Sequence, residues 1–366
     1  MTVTTEEQNE TTAAARPQGG RERTLLLVAG PGRSGTSLFT GILQRLGFYV
    51  PQPEVPANET NPRGFAESQW VVEFHSSLLK TANVQVADAR PAAWARTAEI
   101  SLRPSVEKEL TRWLAQQFRQ ADDLVIKDPR LSWFLSLWRR CAERAGASPR
   151  FATVLRHPAA VIDSKERWYG PWQGGVSRAA GWVNQMLFTE RGTRDTPRAF
   201  VRYDDLLDDW MREIGRLGTI LDLRVIRDAP VPAMRSAHDF VDKSLSRSQS
   251  KWEDMRIPAS LRAQIDSVWE LASQLVDSQG VAAPDVVDQL EAARAAYVEL
   301  YQEAEAIAQS SIVKARRRAA AAADGRVSPR VASLLGRVPA RYRHKVPPRW
   351  RRAVVRALHR DAVHSR

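Results

Sequence analysis

Leu25-Leu26-Leu27-Val28-Ala29-Gly30-Pro31-Gly32-Arg33-Ser34-Gly35-Thr36-Ser37-Leu38 reads as a buried strand, a glycine-rich turn and the opening of a helix. Leu38, Phe39, Ile42, Leu43 and Leu46 then fall on one helical face. Such a turn aims several backbone N–H groups at one point, with the positive end of a helix dipole behind them. It is a cradle for a phosphate or another oxyanion. The glycines let the backbone curl close to the anion, and Ser34, Thr36 and Ser37 add hydroxyl donors.

From Gly30 to Ser37 the spacing follows a Walker A loop, but Thr36 stands where that loop demands Lys. The cation lies inside the loop instead, at Arg33. A second anion grip is legible at Arg156-His157-Pro158, an apolar strand ending in a cation, with Ser164 two turns along the next helix. Lys127 in Lys127-Asp128-Pro129-Arg130 and Tyr203 in Tyr203-Asp204-Asp205-Leu206 close two further apolar runs. Strands alternating with helices predict an α/β fold, a three-layer parallel sheet of P-loop topology with ligands at the carboxyl ends of the strands.

These residues resemble the sulfotransferases, whose 5′-phosphosulfate loop reads [KR]-[ST]-G-T-[ST] and whose Arg…Ser pair holds a 3′-phosphate. The likeness spans roughly residues 24–260. It is most similar to the broad bacterial branch acting on carbohydrate or lipid-linked acceptors, with some likeness to tyrosylprotein sulfotransferases. It implies 3′-phosphoadenosine 5′-phosphosulfate (PAPS) as co-substrate, no metal, and a sulfate ester made on a glycan, glycolipid or small metabolite. It assigns Gly32, Arg33, Ser34, Gly35, Thr36, Ser37, Arg156, Ser164, Tyr203 (against the adenine) and Arg247, with Lys243, to the donor. The remaining readings are a P-loop phosphotransferase and a non-catalytic nucleotide-binding module recruited to a membrane by its tail.

Sulfuryl transfer needs charge stabilisation on the oxygens and a base for the acceptor hydroxyl. Arg33 and Lys127 are the candidates for the first. The cytosolic branch uses a His in a Lys-Thr-His stretch, which here reads Lys127-Asp128-Pro129, so a carboxylate is expected. Glu67, in Gly64-Phe65-Ala66-Glu67, resembles the bacterial Gly-[FY]-[FW]-Glu; Glu54 is the rival. His75 is read as a packed or solvated histidine. The acceptor pocket is expected from loops 48–66, 83–103 and 168–178, with Trp94, Trp168, Tyr169 and Trp172 available to stack on a sugar.

The 366 residues, 43% hydrophobic, suffice for one domain with extensions, and a single cysteine, Cys141, excludes an internal disulfide. The expected organisation is a disordered arm at 1–22, a sulfotransferase-type domain at 23–280, a long helix at 281–324 and a basic amphipathic tail at 325–366. Between Lys314 and Arg366 sixteen Lys and Arg face two Asp, a net of +14. The whole chain carries +12, so the other 313 residues carry −2. Basicity belongs to the tail, where Trp350, Val354 and Leu358 form a stripe suited to an anionic membrane surface through 345–360. No groove-reading motif points to a specific nucleic acid. Val286, Leu290, Ala293, Tyr297, Leu300, Ala304 and Ile307 form a seam, for docking on its own domain or for a homodimer through 285–310. The expected place is the cytoplasm or the inner face of the plasma membrane; nothing in the arm resembles a signal peptide.

Overall fold

A computed structural model describes residues 22–169, 173–242, 252 and 255–324. The expected arm, the basic tail, Lys243, Arg247 and Trp172 therefore lie outside the described residues, apart from Glu22 at the arm's end.

The core is a parallel sheet of β1 (Arg23–Ala29), β2 (Asp123–Lys127), β3 (Ala147–Leu155) and β4 (Arg198–Arg202), in the order β2-β1-β3-β4. Leu25 is level with Leu124, Val28 with Lys127 and Ala29 with Thr153, so the carboxyl ends finish together. Each strand is apolar on both faces, as a sheet covered on both sides requires. Leu25, Leu27 and Ala29 point into one cluster, while Leu26 and Val28 point into the other.

The first layer is built from α2 (Gln69–Ala82), α3 (Ala93–Ser101), α4 (Pro104–Gln117) and α5 (Leu135–Arg144), which follows a 3-10 turn at Leu131–Phe134. These bring Val71, Phe74, Leu110, Trp113 and Trp138 onto the sheet. The opposite layer holds α1 (Thr36–Leu46), with Phe39, Ile42 and Leu43 buried as its periodicity predicts. After α6 (Pro158–Tyr169) and α7 (Gly175–Thr193) come α8 (Tyr203–Asp208) and α9 (Trp210–Ile220), adding Leu206, Trp210 and Ile214 to that second cluster. The result is the three-layer α/β fold read from the sequence.

Two local expectations are corrected. Where the sequence leaves 225–260 irregular, α10 (Arg224–Arg227) and α11 (Val231–Phe240) form, the second docking Ala237 and Phe240 against α1. Trp94, expected in a loop over the acceptor, lies instead on α3. Its ring stacks on Phe188 with centroids 3.9 Å apart. It packs, partly buried, against the first core cluster and does not line the cavity described below.

α12 (Ala259–Asp277) packs on β4 and α7, and α13 (Pro284–Asp324) follows. The chain divides into two compact units, Met1–Val298 and Glu299–Arg366. The division falls inside α13. In the first unit Val286, Leu290, Ala293 and Tyr297 are buried, the docking alternative of the seam for those positions. The Tyr297 hydroxyl sits 2.5 Å from the Ala89 carbonyl oxygen and 2.9 Å from that of Ala180, and its one proton serves either. In the second unit Ala304 and Ile307 are exposed. Among the described residues no helix is long and apolar enough to cross a membrane.

Candidate active site

The connection after β1 runs to one side of the sheet and the connection after β2 returns to the other. The carboxyl ends of β1 and β3 therefore flank a switch point, where α/β folds bind ligands. Both anion grips of the sequence stand there, one following each strand.

The first grip owes its shape to three positive-φ residues, Gly30 at φ 122°, Arg33 at φ 76° and Gly35 at φ 90°. A side chain at 35 is barred twice over. Its Cβ would meet the Tyr203 ring at 2.1 Å, and its φ would be strained. Arg33, which is not glycine, carries that strain, and its side chain is tied across the cleft. Its Nε donates to Ser164 Oγ at 2.9 Å and its Nη1 to the Thr60 carbonyl at 3.3 Å. Arg156 closes the ring, with Nη1 donating to the Arg33 carbonyl at 3.1 Å and its guanidinium 4.6 Å above the Tyr203 ring. The two grips thus touch.

Lys127, at the tip of β2, has its three protons matched to three acceptors. These are Ser37 Oγ at 2.9 Å, the Phe65 carbonyl at 3.2 Å and Glu67 Oε1 at 2.5 Å. Both members of the Lys127–Glu67 pair are buried. Burial raises the Glu67 carboxyl above its ordinary value, against the opposing pull of the Lys127 charge. A carboxylate so raised, beside a charged donor, suits a proton acceptor.

Behind this pair Asp128 anchors the strand tip. Its Oδ1 accepts from the Arg130 N–H at 2.9 Å and from Arg130 Nη1 at 2.8 Å. Oδ2 lies 2.9 Å from His75 Nδ1, and His75 Nε2 lies 2.8 Å from Trp138 Nε1. An indole N–H only donates, so Nε2 accepts and Nδ1 carries the proton donated to Asp128. Burial alone would raise the Asp128 carboxyl; the His75 and Arg130 interactions outweigh it and hold the carboxyl below its ordinary value. His75 is wholly buried structure, not a base.

A cavity of about 620 Å³ opens over these groups. Gly32, Arg33, Gly35, Thr36, Ser37, Glu67, Lys127, Arg156, Ser164 and Tyr203 all line it. Ser34 does not: its hydroxyl is buried beneath the loop with no hydrogen-bond partner among the described residues. Glu54 is also absent from the wall, held by Gln44 Nε2 at 2.6 Å and Gln52 Nε2 at 2.9 Å. Tyr203 buttresses Gly35 and Arg156 from the wall. Trp168 and Tyr169 line the cavity, as does loop 60–65. Sequence reasoning missed Lys165, Arg178 and Gln185, cavity residues contributed by α6 and α7. Lys165 directly follows Ser164, which was the one available signal.

No protein-family model matches the chain, and no curated protein matches it. Among solved structures the chain is similar to the sulfotransferase domain of the Synechococcus PCC 7002 olefin synthase, at 17% identity and a TM-score of 0.41, over 71% of this chain and 98% of that one. It is also similar to the sulfotransferase domain of the curacin biosynthetic pathway, at 17% identity and a TM-score of 0.42, over 72% of this chain and all of that one.

Proposed function

We propose that the protein is a sulfotransferase that uses PAPS and transfers the sulfuryl group to a hydroxyl, leaving PAP. The observation that carries this reading is the contact between the two grips, Arg33 with Ser164 and Arg156 with Arg33, at one switch point beside the Lys127–Glu67 pair. The donor fits the chain's own chemistry. Left-handed residues at 33 and 35 leave a cradle of N–H groups, and Arg33 and Arg156 are cations with no carboxylate within ion-pair distance among the described residues.

When bound, PAPS supplies an activated sulfuryl group and a phosphate leaving group. The Gly32–Ser37 backbone and Arg33 hold the 5′ end; Arg156 and Ser164 hold the 3′-phosphate. Lys127 lies between Ser37 and Glu67, placed to stabilise charge on the transferring and leaving oxygens. Glu67 takes the acceptor hydroxyl's proton on its carboxylate oxygen. Trp168 and Tyr169 add aromatic surface to the cavity wall. Thr36 in the Walker A lysine position disfavours nucleoside triphosphate cleavage.

Calorimetry with PAP in chelator-treated buffer, followed by an exact-mass search for acceptors gaining SO₃ rather than phosphate, tests this. Binding of PAP without metal and a sulfated product are expected. Magnesium-dependent ATP consumption with no PAP binding would replace the reading with a phosphotransferase.

A further inference from the structure

The cavity has a third cationic position that the donor does not use. Lys165 follows Ser164 on α6, is 6% exposed and lines the cavity wall. Among the described residues no carboxylate lies within 4.0 Å of its ammonium and no acceptor hydrogen-bonds to it. Its neighbours are treated differently. Lys127 is paired with Glu67, Arg130 with Asp128, Arg167 with Asp163 and Arg63 with Asp242. Arg33 and Arg156 have no carboxylate either, and they are the two grips assigned to phosphates.

Desolvation and the like charge of Arg178 pull Lys165 down to about 8, which still leaves it mostly charged at neutral pH. A buried ammonium without a counter-charge costs stability, so a charge kept at a cavity wall is one that a ligand completes. Arg178, 2% exposed on α7, lines the same cavity and adds to the positive field there. Two turns further along α7, Gln185 fixes its amide nitrogen on the Pro129 carbonyl at 2.8 Å, leaving Oε1 buried without a partner among the described residues. That oxygen calls for a donor such as a hydroxyl.

Resting on the sulfotransferase reading, we propose that the acceptor is an anionic alcohol, its carboxylate or phosphate held by Lys165 and Arg178 beside the hydroxyl that is sulfated.

The test uses the full chain and matched probes: 3-hydroxybutyrate against butane-1,3-diol, 4-hydroxyphenylacetate against 4-hydroxyphenethyl alcohol, and glycerol 2-phosphate against glycerol. Binding to the PAP complex is followed by saturation-transfer NMR, and sulfation from PAPS by exact mass. An anionic member should be favoured by about tenfold or more. Lys165→Met should erase that preference, Lys165→Arg should keep most of it, and PAP affinity should stay within about twofold in both. The stronger of the carboxylate and phosphate arms identifies the anion. Equal or better binding of the neutral members, a preference surviving Lys165→Met, or no binding of any anionic member would overturn the inference while PAP binding keeps the donor reading. Loss of PAP affinity in Lys165→Met would assign the cation to the donor instead. Failure of the wild type to bind PAP would remove both readings. Lys165→Gln serves where a thermal melt shows Lys165→Met unfolded.

Discussion

Arg33 Nε and Ser164 Oγ, 131 residues apart in the chain, lie 2.9 Å from one another. This bond locks the turn after β1 to the helix after β3, so neither grip moves independently. Arg33→Ala and Ser164→Ala should each weaken PAP binding, by about 10- to 100-fold for the arginine. The double mutant should lose clearly less than the sum of the two, as coupled residues do. Calorimetric titration of the four proteins measures this; additivity within about 0.5 kcal/mol would mean the contact has no role in the grip.

Glu67→Gln should lower kcat by roughly 10²–10⁴ while PAP affinity changes little, since only the proton acceptor is lost. On the proposed reading Glu67 works deprotonated, and its carboxyl is raised by burial, so kcat/KM should climb with pH through a midpoint above 4.5. Lys127 pulls that midpoint down; Lys127→Met should therefore move the acid limb higher still. Unchanged turnover in Glu67→Gln would take Glu67 out of the mechanism.

Gly35→Ala places a methyl 2.1 Å from Tyr203 Cδ2 in a left-handed backbone. The expected loss is about 2–5 kcal/mol of stability, read by chemical denaturation, together with most PAP affinity. Removing the ring in Gly35→Ala/Tyr203→Ala should recover part of the steric component and none of the backbone strain.

Lys165 predicts a stability effect of the opposite sign. Its folded value of about 8 lies below the ordinary 10.5, so the unfolded chain holds the proton more tightly between those values. Stability should rise as pH climbs from about 8 to 10.5, and the burden is fully present below that window. Lys165→Met should thus melt higher at pH 7, by roughly 1–3 kcal/mol, the gain shrinking toward pH 10.5. A lower melting point at pH 7 would show that the ammonium is well solvated by the chain.

The central strand and its anion loop were readable because a five-residue apolar run followed by Gly-x-Gly-x-x-Gly has few alternatives, and Arg156/Ser164 repeats that logic. The α7 segment was opaque. Buried Arg178, Asn184, Gln185, Thr189, Glu190 and Thr193 interrupt its apolar period: Arg178 and Gln185 face the cavity, Asn184 holds the Asp88 and Arg90 carbonyls, and Glu190 pairs with Arg194 and Arg198. Glu67 and Glu54 could not be separated by spacing. Tertiary contact separates them, since Lys127 reaches one and glutamines hold the other. Trp94 misled because an aromatic between Pro-rich turns looks like a lid until Phe188, 94 positions away, comes to lie against it.

Tyr297 gives the site a chronology. The carbonyls it serves belong to Ala89, next to the cavity-lining Gln85–Ala87 stretch, and to Ala180, on the α7 wall. On the ribosome the whole sheet and every catalytic candidate emerge before this phenol does. A chain ending at Pro284 should therefore hold a formed sheet with α7 more open to protease than in a chain ending at Val298.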